Sequence, residues 1–259
     1  GWIFFLKSLR WGLGPLLFAL CVAGVVRALI RPSRADVVLA SFALAVYAFH
    51  ARQLMFFARF ILPAVPVLVV LGARLLDEAV TRAVPDAGRR RLALAALCVP
   101  LVLPPAVSAA RFDYLLLQTD TRTQANTWIE AHVPTGSTIV SEPYGPPIDG
   151  ARYRVERTDS EGLAWHDHTL DTYRQTGAGW LVASSFVFER RYADPAVAAR
   201  LAAFYGDLAT QGELAAEFRP YDTPDAPPFE FTQVYGPVTD LFAFDRPGPV
   251  ILVYRLGAP

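Results

Sequence analysis

Little in this chain favours a secreted disulfide scaffold or a nucleic-acid binder. It has only two cysteines in 259 residues, and both Cys21 and Cys98 fall inside apolar runs. That placement excludes a disulfide framework or a metal-type spacing and leaves buried, inert thiols as the expectation. Basic and acidic residues balance at 24 each, which removes the general electrostatic case for a nucleic-acid partner. Charge is sparse as well: 19% of residues are charged against 53% hydrophobic, too apolar for one ordinary soluble domain. No repeat or low-complexity tract is evident, and Ser184-Ser185 lacks the Gly-x-Ser-x-Gly frame of a nucleophile elbow.

What is present is unevenly spread. Up to about Ala110 the chain is dominated by Leu, Ala, Val and Phe, and beyond it the Asp, Glu, Thr, Tyr and Pro content is that of a globular protein. The expectation is an α-helical multispanning membrane region over 1–115, followed by a small extracytoplasmic α/β domain over 116–259. A bilayer core needs about 20 apolar residues in a helix, with shorter runs possible at about 17. Four runs qualify: Trp11 to Ile30, Ala35 to Ala51, Phe60 to Leu76 and Leu92 to Ala110. Four buried helices of a large soluble protein fit worse, because the polar faces are missing. The opening GWIFFLKSLRWGLGP lacks a signal-peptide pattern and starts at Gly1, so the chain reads as the tail end of a longer protein.

Orientation follows from basic residues in the short connections. Arg27, Arg31 and Arg34 mark one candidate cytoplasmic loop, and Arg74, Arg82, Arg89, Arg90 and Arg91 the other. Lys7, Arg10, Arg52, Arg59 and Arg111 lie on the opposite side. The fourth run then exits away from the cytoplasm, so a multi-pass membrane chain with its C-terminal domain outside is expected.

The second part alternates helix and strand signals. Thr119 to His132 carries Ala125, Trp128 and Ile129 at helical spacing, and Thr138-Ile139-Val140, Trp180 to Ser185, ELAAEF and Val250 to Tyr254 read as strands. Pro195 suits the first turn of a helix running to about Thr210. The stretch YDTPDAPPFEF (Tyr221 to Phe231) reads as a loop, and Gly236-Pro237 and Pro247-Gly248-Pro249 as turns.

Candidate chemistry concentrates at the outer start of the third run. Arg52 and Arg59 are seven apart, so a continuous helix would put them on nearly the same face, two turns from each other. Two guanidiniums offer planar, bidentate donors to a phosphate, although interfacial anchoring is the simpler role for such residues. Pro63 and Pro66 remove the helical bonds to the carbonyls of Arg59 and Leu62, so a loosened first turn beside a polar cavity is expected. His50 is a further cavity candidate. Elsewhere, WHDH (Trp165 to His168) could supply two metal ligands but shows no third, and solvated loop histidines are the plainer reading. Glu142 ends at the carboxyl edge of a strand, where α/β domains often bind ligands, although local hydrogen bonding is the plainer role. Tyr192, Tyr205, Tyr235 and Tyr254 default to core packing.

The segment ARFILPAVPVLVVLGARLL (Ala58 to Leu76) resembles the Arg-(Tyr/Phe)-x-x-Pro-x-x-Pro start of a late transmembrane helix in lipid-linked-sugar glycosyltransferases of the GT-C class. The likeness is to glycosyltransferase family 39, the bacterial relatives of dolichyl-phosphate-mannose protein mannosyltransferases and aminoarabinose transferases. TRTQANTWIEAHVPTGSTIVSE (Thr121 to Glu142) and FDRPGPVILVYRL (Phe244 to Leu256) are similar to segments that follow the last membrane helix in that class. The resemblance implies transfer of a sugar from a polyprenyl-phosphate carrier to an extracytoplasmic lipid, glycan or protein acceptor. It places basic groups near the carrier phosphate, which maps onto Arg59 and then Arg52, with His50 a weaker candidate. The acidic residue that activates the acceptor in that class matches nothing here, so no catalytic residue is assigned, and the chain alone is expected to be inactive. Neither a cofactor nor a metal site is assigned, and a divalent ion in the parent is left open. The alternatives are a non-catalytic membrane protein with an exported partner- or polysaccharide-binding domain, and a transporter, for which the spans carry few ionisable groups.

Overall fold

Helix formation runs well past the apolar stretches that hydropathy marks. In the computed structural model, which describes residues 1–53, 57–158, 169–189, 195–223, 227, 229 and 240–257, the chain divides into two units, Gly1–Arg111 and Phe112–Pro259. The first unit contains α1 (Trp2–Ile30), α2 (Arg34–Ala51), a 3₁₀ helix (Ala58–Ala64), α3 (Val65–Ala83) and α4, which starts at Ala87 and continues to Leu116. Among the described residues, four helices are long and apolar enough to cross a membrane.

Each helix is longer than its apolar run. Intrahelical hydrogen bonding does not depend on side-chain polarity, so exposed Lys7 and Arg10 sit inside α1, and Arg89 to Arg91 inside the first turns of α4. α1 is broken at Gly14, whose φ of 73° and ψ of 160° are non-helical. Pro15 explains the break: its ring disfavours helical geometry in the preceding residue, and glycine accepts the positive φ.

α1 packs on α2 and α3. A Cβ on Gly24 would lie 2.5 Å from the carbonyl carbon of Leu71 and 2.6 Å from the amide of Gly72, so the α1 and α3 backbones meet there without side chains between them. Such close approach is how helices associate where lipid removes the hydrophobic drive. The buried residues are correspondingly small or mixed, including Cys21, Ala28, Ala40, Ala43 and Ala51, while Ile3, Ile30, Val38 and Leu92 point outward.

The second unit begins with the end of α4 and continues through α5 (Thr121–His132), β1 (Thr138–Ser141), β2 (Arg154–Arg157), α6 (Leu170–Gln175), β3 (Trp180–Ser184), α7 (Ser185–Phe188), α8 (Pro195–Gln211), β4 (Gly212–Phe218) and β5 (Ile251–Leu256). The sheet order is β2-β1-β3-β5-β4, with β2, β1 and β3 parallel and β5 antiparallel to both neighbours. Alternate strand residues feed opposite faces. Ile139, Val182, Ile251 and Val253 pack with Ala125 and Ile129 of α5, while Val140, Leu181, Ala183 and Tyr254 pack with Tyr173 of α6 and Leu208 of α8. Burial on both faces is why β1, β3 and β5 read as continuous apolar runs.

The expected helix and strands are all present. The differences are β2, α6 and α7, which hydropathy does not mark. β2 is an edge strand of sequence Arg-Val-Glu-Arg, exposed at both ends, so no apolar face announces it.

Candidate functional site

The third apolar run begins differently from the expected continuous helix. α2 ends at Ala51 with Arg52 as its C-cap, Gln53 and Phe57 are outside helix, Phe57 in an extended conformation, and a 3₁₀ helix starts at Ala58. Arg52 and Arg59 therefore flank a break instead of sharing one helix face, which corrects the two-turn stacking expected from their spacing.

The prolines explain the 3₁₀ form. A 3₁₀ helix bonds each carbonyl to the N–H three residues on instead of four. Pro63 thus withdraws a donor from the carbonyl of Phe60, not from that of Arg59. The Leu62 carbonyl, expected to be open, accepts the N–H of Val65. Pro66 sits in the first turn of α3, where a missing N–H costs no intrahelical bond. The turn is irregular, as expected, but its backbone is more fully bonded than an interrupted α-helix would be.

Around this turn the structure gathers aromatic rings. Arg59 is exposed, with its guanidinium carbon 4.7 Å from the centroid of the Phe57 ring and 5.7 Å from that of Phe60. Half-buried His50 stacks on Phe60 at 5.2 Å and lies 6.3 Å from Phe5. Rings take the face of a guanidinium and hold it in place, whereas an anion is taken by its N–H edge, so the two contacts are compatible. Arg59 and His50 are brought to one aromatic cluster through Phe60; Arg52 is exposed at the helix end beside His50.

The same 3₁₀ turn roofs a cavity of about 170 Å³. Ile61 and Ala64 line it, with Leu9 and Cys21 of α1, Tyr47 of α2 and Leu68 of α3; its wall is apolar throughout, which corrects the polar cavity expected beside this turn, and His50 does not line it. An exposed cation thus lies within two residues of an apolar slot along the chain.

At the other end of these helices lies an ion cluster that sequence reading did not single out. Asp36 is completely buried and pairs with Arg27 at 2.5 Å and Arg74 at 2.7 Å, and Arg27 also pairs with Glu78. Ser33 and Asp36 form a capping box that starts α2 and aims the carboxylate at the arginines. The positive-inside reading counts Arg27 and Arg74 only as cytoplasmic-side cations; the Ser-x-x-Asp pattern at Ser33 is the signal that one of their partners is fixed.

In the second unit, β1 and β3 are neighbours from which the connections leave in opposite directions, the position where open α/β sheets form a crevice at their carboxyl ends. Glu142 occupies it, but its carboxylate is enclosed by its own chain. The Ser184 N–H donates to Oε2 at 2.7 Å and the Tyr205 hydroxyl to Oε1 at 2.7 Å. Burial pushes its pKa up to about 8, against the pull of those two donors. Glu142 is therefore a cross-link between β1, β3 and α8, and its partners are distant in sequence instead of the local ones expected. Tyr205 serves this bond, and Tyr254 packs in the α6 and α8 core. WHDH, Tyr192 and Tyr235 lie outside the described residues. Among the described residues no group of three potential metal ligands comes together.

The chain thus falls in the class of proteins with a membrane-type helical unit joined to an α/β unit. No family model, curated protein or solved structure matches it.

Proposed function

We propose that this chain is part of a polyprenyl-phosphate-dependent membrane glycosyltransferase of the GT-C type, and that Arg59 contacts the phosphate of the carrier lipid. The observation that carries the reading is the joining, in one 3₁₀ turn, of an exposed guanidinium held on Phe57 and Phe60 with the roof of a wholly apolar slot. An amphiphile with an anionic head and a hydrocarbon tail is the ligand chemistry such a turn suits. As the glycosidic bond to the carrier breaks, negative charge grows on the leaving phosphate, and a fixed guanidinium stabilises that charge. Arg52 adds positive potential at the same boundary, and His50 stacks on Phe60, one of the two rings that hold the guanidinium.

The proposed orientation puts Arg52 and Arg59 on the extracytoplasmic side together with the α/β unit. The clustered ends of α1, α2 and α3, joined by Arg27, Asp36, Arg74 and Glu78, also carry Arg31, Arg34 and Arg82, the basic end that a positive-inside bias puts on the cytoplasmic side. The acceptor would be an extracytoplasmic lipid, glycan or protein.

The test is Arg59→Ala beside Arg59→Lys in the intact membrane protein, measuring lipid-donor turnover and the amount of folded protein. Turnover should collapse in Arg59→Ala at unchanged folded yield and recover in part in Arg59→Lys, which restores charge without the bidentate fork. Parallel loss of turnover and folded protein would reduce Arg59 to an interfacial anchor.

A further inference from the structure

We infer that the turn carrying Phe242, with Tyr114, Leu116 and Leu117, docks the C-terminal unit on the membrane surface, the Phe242 ring lying at the boundary between headgroups and acyl chains. The inference rests on α4 being a membrane span.

α4 continues unbroken from its apolar window to Leu116. Phe112 and Leu115, one turn apart, face a cluster formed by Tyr221, Leu241, Phe244 and Val250, and Leu115 is completely buried there. The 3₁₀ turn Leu241–Ala243 is therefore fastened to the last turn of α4. Leu115 lies four residues beyond Arg111, about 6 Å along the helix at 1.5 Å per residue. The headgroup layer on each side of a bilayer is itself about 5 to 8 Å deep. A turn packed on Leu115 cannot stand clear of that layer.

On this turn and helix end the apolar groups that do not enter the cluster are open: Phe242 is 63% exposed, Leu117 83%, Leu116 57% and Tyr114 51%. Phe242 is the residue next to buried Leu241, so its backbone is held while its ring projects. The segment is further tied by the Asp245 N–H donating to the Pro220 carbonyl at 2.8 Å, and by the Thr121 hydroxyl donating to the Pro249 carbonyl at 2.7 Å. Aromatic and aliphatic groups fixed at this depth form the kind of belt that anchors proteins at the membrane interface. Four side chains are also too small a patch for a stable protein partner, which needs roughly 800 Å² per side.

The test uses the full chain in phosphatidylethanolamine and phosphatidylglycerol vesicles, with Cys21 and Cys98 replaced by alanine. Single nitroxide labels are placed through Phe242→Cys, Val102→Cys in the middle of α4, and Leu214→Cys. Leu214 is an exposed apolar residue about 13 Å along β4 from the strand end that meets Ile251. Collision with oxygen, which concentrates in lipid, is compared with collision with a water-soluble nickel chelate. Val102 and Phe242 should both favour oxygen several-fold, Val102 more strongly, while Leu214 favours nickel. If Val102 reads as lipid and Phe242 behaves like Leu214, docking is overturned while the span stands. If Phe242 is shielded from both reagents, it is covered by protein and docking is equally overturned. If Val102 reads as water, the span fails and the inference fails with it.

Discussion

The two units of this chain differ most in what they leave exposed. In the second, Ile139, Val182, Ile251 and Leu208 are inside and the polar residues largely outside. The first also buries Phe5, Leu9, Leu13, Ile61 and Leu71, but beside them lie Gly24, several alanines and a fully buried aspartate, while many leucines, valines and isoleucines face outward and no residue in the apolar window of α4 is buried. Water drives the first arrangement, because apolar area removed from it is stabilising. Helices long and apolar enough to cross a membrane suit lipid, which offers no such drive between them and leaves specificity to close backbone packing and ionic contacts. A buried carboxyl appears in both units with different partners. Asp36 meets two arginines, whereas Glu142 meets an N–H and a hydroxyl and is held near neutrality by burial.

That contrast can be broken experimentally, and the largest effect expected is the pH response of the second unit. Glu142 binds its proton more tightly folded, at about 8, than unfolded, at the ordinary 4.5. Its contribution is therefore complete below pH 4.5 and is lost as pH rises through 8. Within the window the unfolding constant should rise up to roughly tenfold per pH unit, and Glu142→Gln should flatten the dependence. Thermal unfolding of both proteins across pH 4 to 9 checks this; an equal slope in the variant would remove Glu142 as its cause.

Next comes the α1 and α3 contact. Gly24→Leu should cost about 3 kcal/mol or more, since a side chain there must push two backbones apart. Gly12→Ala, with nothing within 4 Å, should move stability by less than about 1 kcal/mol. Melting temperatures in the same detergent compare the pair.

A smaller loss is expected from Asp36→Asn. It removes the charge that pairs Arg27 and Arg74, but both arginines keep access to solvent and Arg27 keeps Glu78. Arg74→Gln added to Asp36→Asn should cost less than the sum of the two single changes, and strict additivity would show that the pair is not coupled.

The smallest is Asp120→Ala, at about 1 kcal/mol, because the Asp120 side chain accepts the Arg122 N–H and caps α5. It should lower the melting of the second unit alone, read by amide exchange in α5.

Reading the sequence recovers the elements whose environment is uniform along their length. β1, β3 and β5 are buried on both faces and so appear as largely apolar runs, and the four long helices appear as apolar windows. It misses Arg154 to Arg157 because an edge strand is defined by its neighbour β1, not by its own side chains. The candidate site is legible in part. Arg59, Pro63 and Pro66 announce an irregular start to the third helix, but the spacing of Arg52 and Arg59 misleads, because it assumes a helix that stops at Ala51. His50 is placed correctly at the boundary, yet its stacking on Phe60 depends on how the chain returns after the break.

The sequence by itself determines the division near residues 110 to 115, the four apolar helices and most of the strands, since hydropathy and periodicity are sums over neighbouring residues. Only the tertiary structure decides that Gly24 meets Gly72, that Asp36 draws in Arg27 and Arg74, that Glu142 is sealed between Ser184 and Tyr205, and that Leu241 grips the end of α4. Each of these joins residues far apart in the chain, and their energies depend on burial and on distances of a few ångströms that no local pattern carries.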